Sequence, residues 1–305
     1  MSTIMIMAGG TGGHVYPAMA VADYLKQRGW QVVWLATEGG MENRLIEGKG
    51  YAKAMMTMRG VRGKGLKGWL LLPMNLLTAF KQARLAIKQY KPDMVLGMGG
   101  FAAFPGGVMA KLMGKPLIIH EQNSVAGLTN KVLSKLANTV LTAFPNVLAN
   151  SDMVVGNPIR LALTQMDMPE QRYATRTGSL KVLVLGGSLG AAALNEVLPK
   201  AFAQLAVEQR PVIIHQAGEK HIEALVKNYN DAGVVAETRA FIQDMAEVYH
   251  WADVVICRAG ALTVAELACV GVASVLVPFP YAVDDHQTTN AAYLVEGGAA
   301  MMVQQ

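Results

Sequence analysis

The chain has 305 residues, 52% of them apolar and 16% charged, with a formal net charge of +5. That length suits two domains with a core each, and the composition excludes a disordered chain. No apolar run reaches the ~18 residues of a membrane span, and Cys257 and Cys269 lack metal-ligand partners at suitable spacing, as in a reduced cytoplasmic protein without a zinc framework.

The charge is unevenly divided. Residues 1–156 carry 17 Lys+Arg against 7 Asp+Glu, and residues 157–305 carry 10 against 15. We place the domain boundary at that change of sign. A basic first half favours an anionic partner, whether a phospholipid surface, a polyphosphate or nucleic acid. No basic n-region opens the chain, so no signal peptide is expected.

Apolar, β-rich runs alternate with helical patterns from the start. The first half predicts strands over 3–8, 31–36, 51–57, 94–97, 117–120 and 139–142. Helices are expected over 17–28, 41–49, 74–90, 105–113 and 127–136, with Pro17 and Pro105 in first turns. Residues 164–179 read as a linker. The second half repeats the plan, with strands over 181–185, 211–215, 234–236, 254–257, 274–277 and 299–303. Its helices are expected over 191–206, 220–230, 244–251, 262–269 and 287–296. The fold class is α/β, with two Rossmann-like, doubly wound parallel-sheet domains (1–156 and 157–305) and a cleft between them.

Two glycine-rich turns stand out. Gly9-Gly10-Thr11-Gly12-Gly13-His14 follows the first strand, and Gly186-Gly187-Ser188-Leu189-Gly190 follows the strand at 181–185. Such turns leave bare N–H groups at a positive helix end, where a diphosphate sits well. His14 is a candidate base for a hydroxyl nucleophile, with a histidine bonded to a neighbouring carbonyl as the structural alternative. His120-Glu121-Gln122-Asn123 follows Leu117-Ile118-Ile119, and four polar groups in a row should face a cleft. Glu121 is then a candidate base or orienter and Asn123 a hydrogen-bonding group; a helix cap at Asn123 is the structural alternative. In Arg258–Glu266, Thr263 and Glu266 have capping-box spacing, and Glu266 could instead accept both ribose hydroxyls. Gln287, after Asp284-Asp285-His286, could read sugar hydroxyls through its amide. The chain has no Asp-x-Asp pair, Walker lysine, nucleophile elbow or zinc signature, so neither metal nor cofactor is expected.

A further stretch sets Arg59, Arg62, Lys64, Lys67, Lys81, Arg84 and Lys88 around Trp69, Leu71, Met74, Leu77 and Phe80. An apolar patch ringed by cations suits an anionic bilayer surface, and an amphipathic helix packed on the sheet is the alternative.

In order and spacing these segments, with Leu96–Gly100, Gly127–Lys131, Val155–Pro158, Ala252–Arg258 and Ala261–Glu266, closely resemble the MurG family of peptidoglycan glycosyltransferases. That family moves N-acetylglucosamine (GlcNAc) from UDP-GlcNAc to undecaprenyl-diphosphate-linked muramyl-pentapeptide (lipid I). The resemblance implies a GT-B fold and an inverting, metal-independent transfer at the cytoplasmic face of the bacterial inner membrane. It implies UDP-GlcNAc, lipid I and an anionic phospholipid surface as partners, and no nucleic acid.

By the same resemblance Thr11, Gly12 and Gly13 lie by the donor sugar and acceptor, and Asn123 contacts the donor sugar. Arg160 and Ser188 lie near the diphosphate, and the Ile242 backbone reads uracil. Ala261, Leu262, Thr263, Val264, Ala265 and Glu266 form the nucleotide pocket, with Glu266 on the ribose, and Gln287 reads GlcNAc hydroxyls. His14 is the first choice of base and Glu121 the second. The sequence departs from the family pattern at Leu189, Phe101 and Ala259, where Gln, Tyr and Ser are usual. The resemblance also implies further helices after Gln305. Two other function classes are compatible with the pattern: an NAD(P)-dependent oxidoreductase with two Rossmann domains, and a non-catalytic membrane-associated nucleotide-binding module.

Overall fold

A computed structural model describes residues 1–58, 72–187, 190–282 and 285–305. They form two compact units, Met1–Ile159 and Arg160–Gln305.

In the first unit the strands are β1 (Thr3–Met7), β2 (Gln31–Thr37), β3 (Ala52–Met56), β4 (Met94–Gly97), β5 (Leu117–Glu121), β6 (Thr139–Thr142) and β7 (Met153–Val154). They form one parallel sheet in the order β3-β2-β1-β4-β5-β6-β7. Every residue of β1 is buried, as a strand covered on both faces must be. Its alternate side chains feed two cores. Met5 and Met7 join Ala79, Ala83, Ala103 and Ala110 from helices α3 (Leu72–Tyr90) and α4 (Ala103–Leu112). Ile4 and Ile6 join Val15, Ala18 and Ala22 from α1 (Gly12–Gln27). This period-two split of one apolar run is what makes the unit doubly wound.

The chain reverses direction of winding between β1 and β4, so the loops leaving these strands flank the switch point, where such sheets place ligands. The two loops touch. Gly100, at φ +78°, has no room for a side chain, because a Cβ there would lie 2.1 Å from the Gly9 carbonyl oxygen. The indole Nε1 of buried Trp34 donates to the Ala8 carbonyl at 3.1 Å, fixing the strand just before the first glycine turn.

The second unit carries β8 (Lys181–Leu185), β9 (Val212–Gln216), β10 (Glu237–Arg239), β11 (Val254–Cys257), β12 (Ala273–Leu276) and β13 (Ala300–Met302). The sheet order is β10-β9-β8-β11-β12-β13, again parallel, with its switch point between β8 and β11. A closed polar network ties this sheet to its helices. The Asn195 amide nitrogen donates to the Ala217 carbonyl at 3.1 Å, and its oxygen lies 3.1 Å from His215 Nε2. His215 Nδ1 lies 2.9 Å from the Tyr229 hydroxyl. Burial lowers the His215 pKa to about 3, so the ring is neutral at ordinary pH.

Several boundaries differ from the sequence expectations. Helix α1 begins at Gly12 because the amides of His14 and Val15 already bond the Thr11 carbonyl, so Pro17 lies inside the helix. Residues 164–179 are no linker. Helix α6 (Leu161–Thr164) ends in that stretch, helix α7 (Pro169–Tyr173) lies within it, and the buried Arg172 guanidinium donates to the carbonyls of Asp167, Tyr249 and Val270. Strand β10 starts at Glu237, three residues after the expected start, because the Val234 amide still bonds the Tyr229 carbonyl in the turn that closes the preceding helix. The short edge strand β7 carries no sequence signal strong enough to be read.

Two outcomes follow. Gly100→Ala should destabilise the first unit by about 2–4 kcal/mol, seen as an earlier calorimetric transition, since the methyl group must displace backbone at a left-handed φ. On acidification, the unfolded chain protonates His215 below its ordinary value of about 6.5 while the folded chain does not until about 3. Stability should therefore be fullest above pH 6.5 and fall progressively towards pH 3, and the slope should flatten in His215→Asn.

Candidate active site

The carboxyl ends of β1, β4 and β5 bring together His14, Gly99, Gly100 and the His120–Asn123 segment. His14 stands in the first turn of α1, half-buried, with Nδ1 2.8 Å from Gln122 Oε1. Gly99, at φ +90°, lets the imidazole lie close, since a Cβ there would meet His14 Cε1 and Nδ1 at 2.9 Å. Gln122 in turn directs Nε2 at the His120 carbonyl (2.9 Å) and at His120 Nδ1 (3.1 Å). His120 Nε2 lies 2.9 Å from the Gly156 carbonyl. Burial holds the His120 pKa down, against smaller opposing effects of the Gly156 bond and the nearby Glu121 charge.

Glu121 is also enclosed. Its Oε1 accepts from the Asn123 backbone N–H at 3.0 Å and from Asn123 Nδ2 at 3.3 Å. Its Oε2 accepts from Gly127 N–H at 3.1 Å and from Asn130 Nδ2 at 2.9 Å. A buried carboxylate is tolerable when its lone pairs are used in this way. The carboxylate thus shapes the turn between β5 and helix α5 (Leu128–Leu133). The expectation that all four polar groups face a cleft is corrected. His120, Glu121 and Gln122 are 2%, 1% and 1% exposed, with His120 and Gln122 bonded to each other and Glu121 to Asn123, Gly127 and Asn130, and of the four only Asn123 is half-buried. A second acid, Glu42, is fully buried beside the first glycine turn, where Oε1 accepts from the Thr37 amide at 2.8 Å and hydroxyl at 2.7 Å.

Thr11 is the extended N-cap residue of α1; it and Gly13 are exposed, whereas Gly12 is buried. No acid lies in the first turn of α1, so its positive end is not neutralised from within the helix.

In the second unit, Arg160 and Glu266 are brought together, with Arg160 Nε 3.6 Å from Glu266 Oε1. Glu266 Oε2 accepts from the Tyr249 hydroxyl at 3.2 Å. Burial pushes the Glu266 carboxyl up, and the Arg160 charge and Tyr249 bond pull it back. Glu266 sits in the second turn of helix α11 (Ala261–Val270), whose N-cap is Gly260. The capping-box alternative fails because Thr263 and Glu266 both lie inside the helix. Ala261 and Val264 are buried, and Leu262, Thr263 and Ala265 are half-buried. The Ile242 side chain is buried, which leaves the backbone as the part a ligand could meet. Gln287 accepts from Phe279 N–H through Oε1 at 3.0 Å, a bond that fixes its carboxamide at the start of helix α12 (His286–Glu296). Arg258 donates to the carbonyls of Val277 and Pro278 at 3.1 Å each and holds the end of β12. Ser188 and Leu189 lie outside the described residues, as do Asp284 and, from the basic stretch, Arg59, Arg62, Lys64, Lys67, Trp69 and Leu71. Among the described residues no three His, Cys, Asp or Glu side chains are grouped to hold a metal ion.

Sequence reasoning missed the parts played by His120 and Gln122. The available signal was their i, i+2 spacing at the end of a buried strand, which sends both side chains to the same face as each other.

Comparison with known proteins agrees with this architecture. Residues 4–142 match the glycosyltransferase family 28 N-terminal domain, and residues 181–305 match the glycosyltransferase family 28 C-terminal domain. A protein of Nitrosospira multiformis is 56% identical over 305 residues, covering 99% of this chain and 85% of the relative. One of Burkholderia cenocepacia is 58% identical over 307 residues, covering 99% and 83%. Both are named UDP-N-acetylglucosamine–N-acetylmuramyl-(pentapeptide) pyrophosphoryl-undecaprenol N-acetylglucosamine transferase. The crystal structure of Acinetobacter baumannii MurG superposes with a TM-score of 0.84 at 46% identity, over 100% of this chain and 86% of that one. The glycosyltransferase of kitacinnamycin shares the fold, with a TM-score of 0.71 at 18% identity over 99% and 86% of the two chains. None of these matches favours the oxidoreductase or the non-catalytic alternative. Two parallel-sheet domains of this kind, matched along both halves, make the chain a GT-B enzyme that belongs to glycosyltransferase family 28.

Proposed function

We propose that this chain transfers GlcNAc from UDP-GlcNAc to the C4 hydroxyl of the muramyl sugar in undecaprenyl-diphosphate-MurNAc-pentapeptide, converting lipid I to lipid II for peptidoglycan. The observation that carries the reading is the pairing of a half-buried histidine with the glycine turn at the first switch point, in a chain more than half identical to transferases named for this reaction. The transfer is a single inverting displacement. His14 Nε2 takes the proton of the C4 hydroxyl as its oxygen bonds the anomeric carbon. The bond from that carbon to the diphosphate oxygen breaks with its electron pair, and UDP leaves. His14 returns the proton to solvent.

His14 is preferred to Glu121 as the base because the four donors on the Glu121 carboxylate already occupy its lone pairs. Glu121 serves instead to hold Asn123, the group proposed to meet the donor sugar. Charge growing on the diphosphate is met by Ser188, by the positive end of helix α8 (Ala192–Ala203) and by Arg160. Ala261, Leu262, Thr263, Val264 and Ala265 form the nucleotide pocket, the Glu266 carboxylate takes the ribose, the Ile242 backbone takes uracil, and Gln287 takes GlcNAc hydroxyls. Thr11, Gly12 and Gly13 line the sugar and acceptor side.

We further assign the enzyme to the cytoplasmic face of the bacterial inner membrane, held peripherally on anionic phospholipid. Helix α3 supports this. Its Ala79, Ala83, Ala86 and Ile87 pack inward, whereas Met74 (63% exposed), Leu77 (70%), Lys81, Arg84, Leu85 and Lys88 share the outer face. No described helix is long and apolar enough to cross a membrane.

In a transfer assay with UDP-GlcNAc and a lipid I analogue, His14→Ala should lower kcat by about 10²–10⁴-fold with UDP affinity unchanged, and EDTA should not inhibit. Undiminished turnover in the variant would remove His14 from the chemistry. Flotation with liposomes should show binding to anionic vesicles that weakens as salt rises and in Lys81→Glu/Arg84→Glu. Equal binding to neutral vesicles at high salt would contradict the membrane assignment.

A further inference from the structure

The orientation of every polar group from Gly156 to His14 follows from two backbone carbonyls that can only accept. Gln122 places one carboxamide atom 2.9 Å from the His120 carbonyl, so that atom is the nitrogen, with a proton directed there. Its second proton meets His120 Nδ1 at 3.1 Å, which makes that ring nitrogen an acceptor. His120 then carries its own proton on Nε2, where the Gly156 carbonyl receives it at 2.9 Å. The two ends of the chain of bonds agree, and Gln122 cannot be flipped without opposing oxygen to oxygen at the His120 carbonyl.

The remaining carboxamide atom, Oε1, faces His14 Nδ1 at 2.8 Å. An amide oxygen cannot donate, so the proton of neutral His14 sits on Nδ1 and the lone pair on Nε2. A free histidine side chain prefers the opposite tautomer; here the hydrogen bond decides. We propose that Gln122 and His120 are positioning residues that lock His14 as the Nδ1–H tautomer and so present an unprotonated Nε2 to the acceptor hydroxyl. This rests on the reading of His14 as the base. When His14 takes the proton, the same amide oxygen stabilises the imidazolium through Nδ1–H. A protonated His120 would turn an N–H against the Gln122 N–H. Burial keeps His120 neutral and the relay in one direction.

The test is spectroscopic. The full chain, labelled with ¹⁵N-histidine, is examined by long-range ¹H–¹⁵N correlation at a pH where His14 is neutral. Its six histidines are assigned by single substitutions, His14→Gln among them. His14 should show a protonated Nδ1 and an unprotonated Nε2, and the reverse pattern overturns the proposal. Gln122→Met keeps the length and removes the acceptor. It should shift His14 towards the Nε2–H tautomer and lower kcat by about tenfold or more, with KM for UDP-GlcNAc within about twofold. An unchanged tautomer in that variant overturns the proposal as well. If Gln122→Met does not fold, the spectrum of the unaltered chain decides alone. The tautomer is read without turnover, so it stays separable from the question of whether His14 is the base.

Discussion

A single buried carboxylate organises the end of β5. Glu121 gathers two donors from Asn123, one from Gly127 and one from Asn130. An ionised group cannot be removed from water at this depth without such partners, and charge-assisted bonds of this kind contribute about 1.5–3 kcal/mol each against that penalty. The turn is therefore set by electrostatic demand rather than by turn propensity. Because Asn130 also donates to the His120 carbonyl at 3.1 Å, the same demand fixes the backbone from which Gln122 reaches His14. Losing the carboxylate would release four donors and the frame on which the histidine pair is hung.

The two units solve similar problems with different chemistry. In the first, the polar groups under the sheet end converge on an imidazole that is only half covered. In the second, an equally satisfied set around His215 is sealed from solvent, with Asn195 and Tyr229 closing both ring nitrogens. The physical distinction is access. Both histidines are oriented by a carboxamide, but His14 is half-buried and His215 fully buried. That contrast is why one network is read as chemistry and the other as cement between β9 and the helices that cover it.

Much of this was legible in the amino-acid order. Continuous apolar runs such as Ile4–Ala8 mark doubly covered parallel strands, and the glycine turns mark both switch points. Periodicity placed the helix around Met74–Tyr90, and the reading of His14 and Glu121 as neighbours in one site follows from both following strands of the same sheet. What stayed hidden depended on partners distant in the chain. That Glu121 is saturated requires knowing where Asn130 points, and Arg172 looked like part of a polar linker because its acceptors, the carbonyls of Tyr249 and Val270, lie far along the sequence. Backbone carbonyls leave no trace in composition. Pro17 misled for a related reason: its fixed φ suits a helix anywhere in the first turns, and the actual start was decided by the Thr11 carbonyl.

The sheet order has a cost in time. β1 is central, flanked by β2 and β4, and its Thr3 amide bonds the Asp93 carboxylate ninety positions away. During synthesis β1 must wait for some ninety further residues before β4 can cover its second flank. Until then an apolar ribbon with an open edge is on offer to any passing strand. Nascent copies of this enzyme should accordingly depend on shielding early in synthesis, well before the second unit exists.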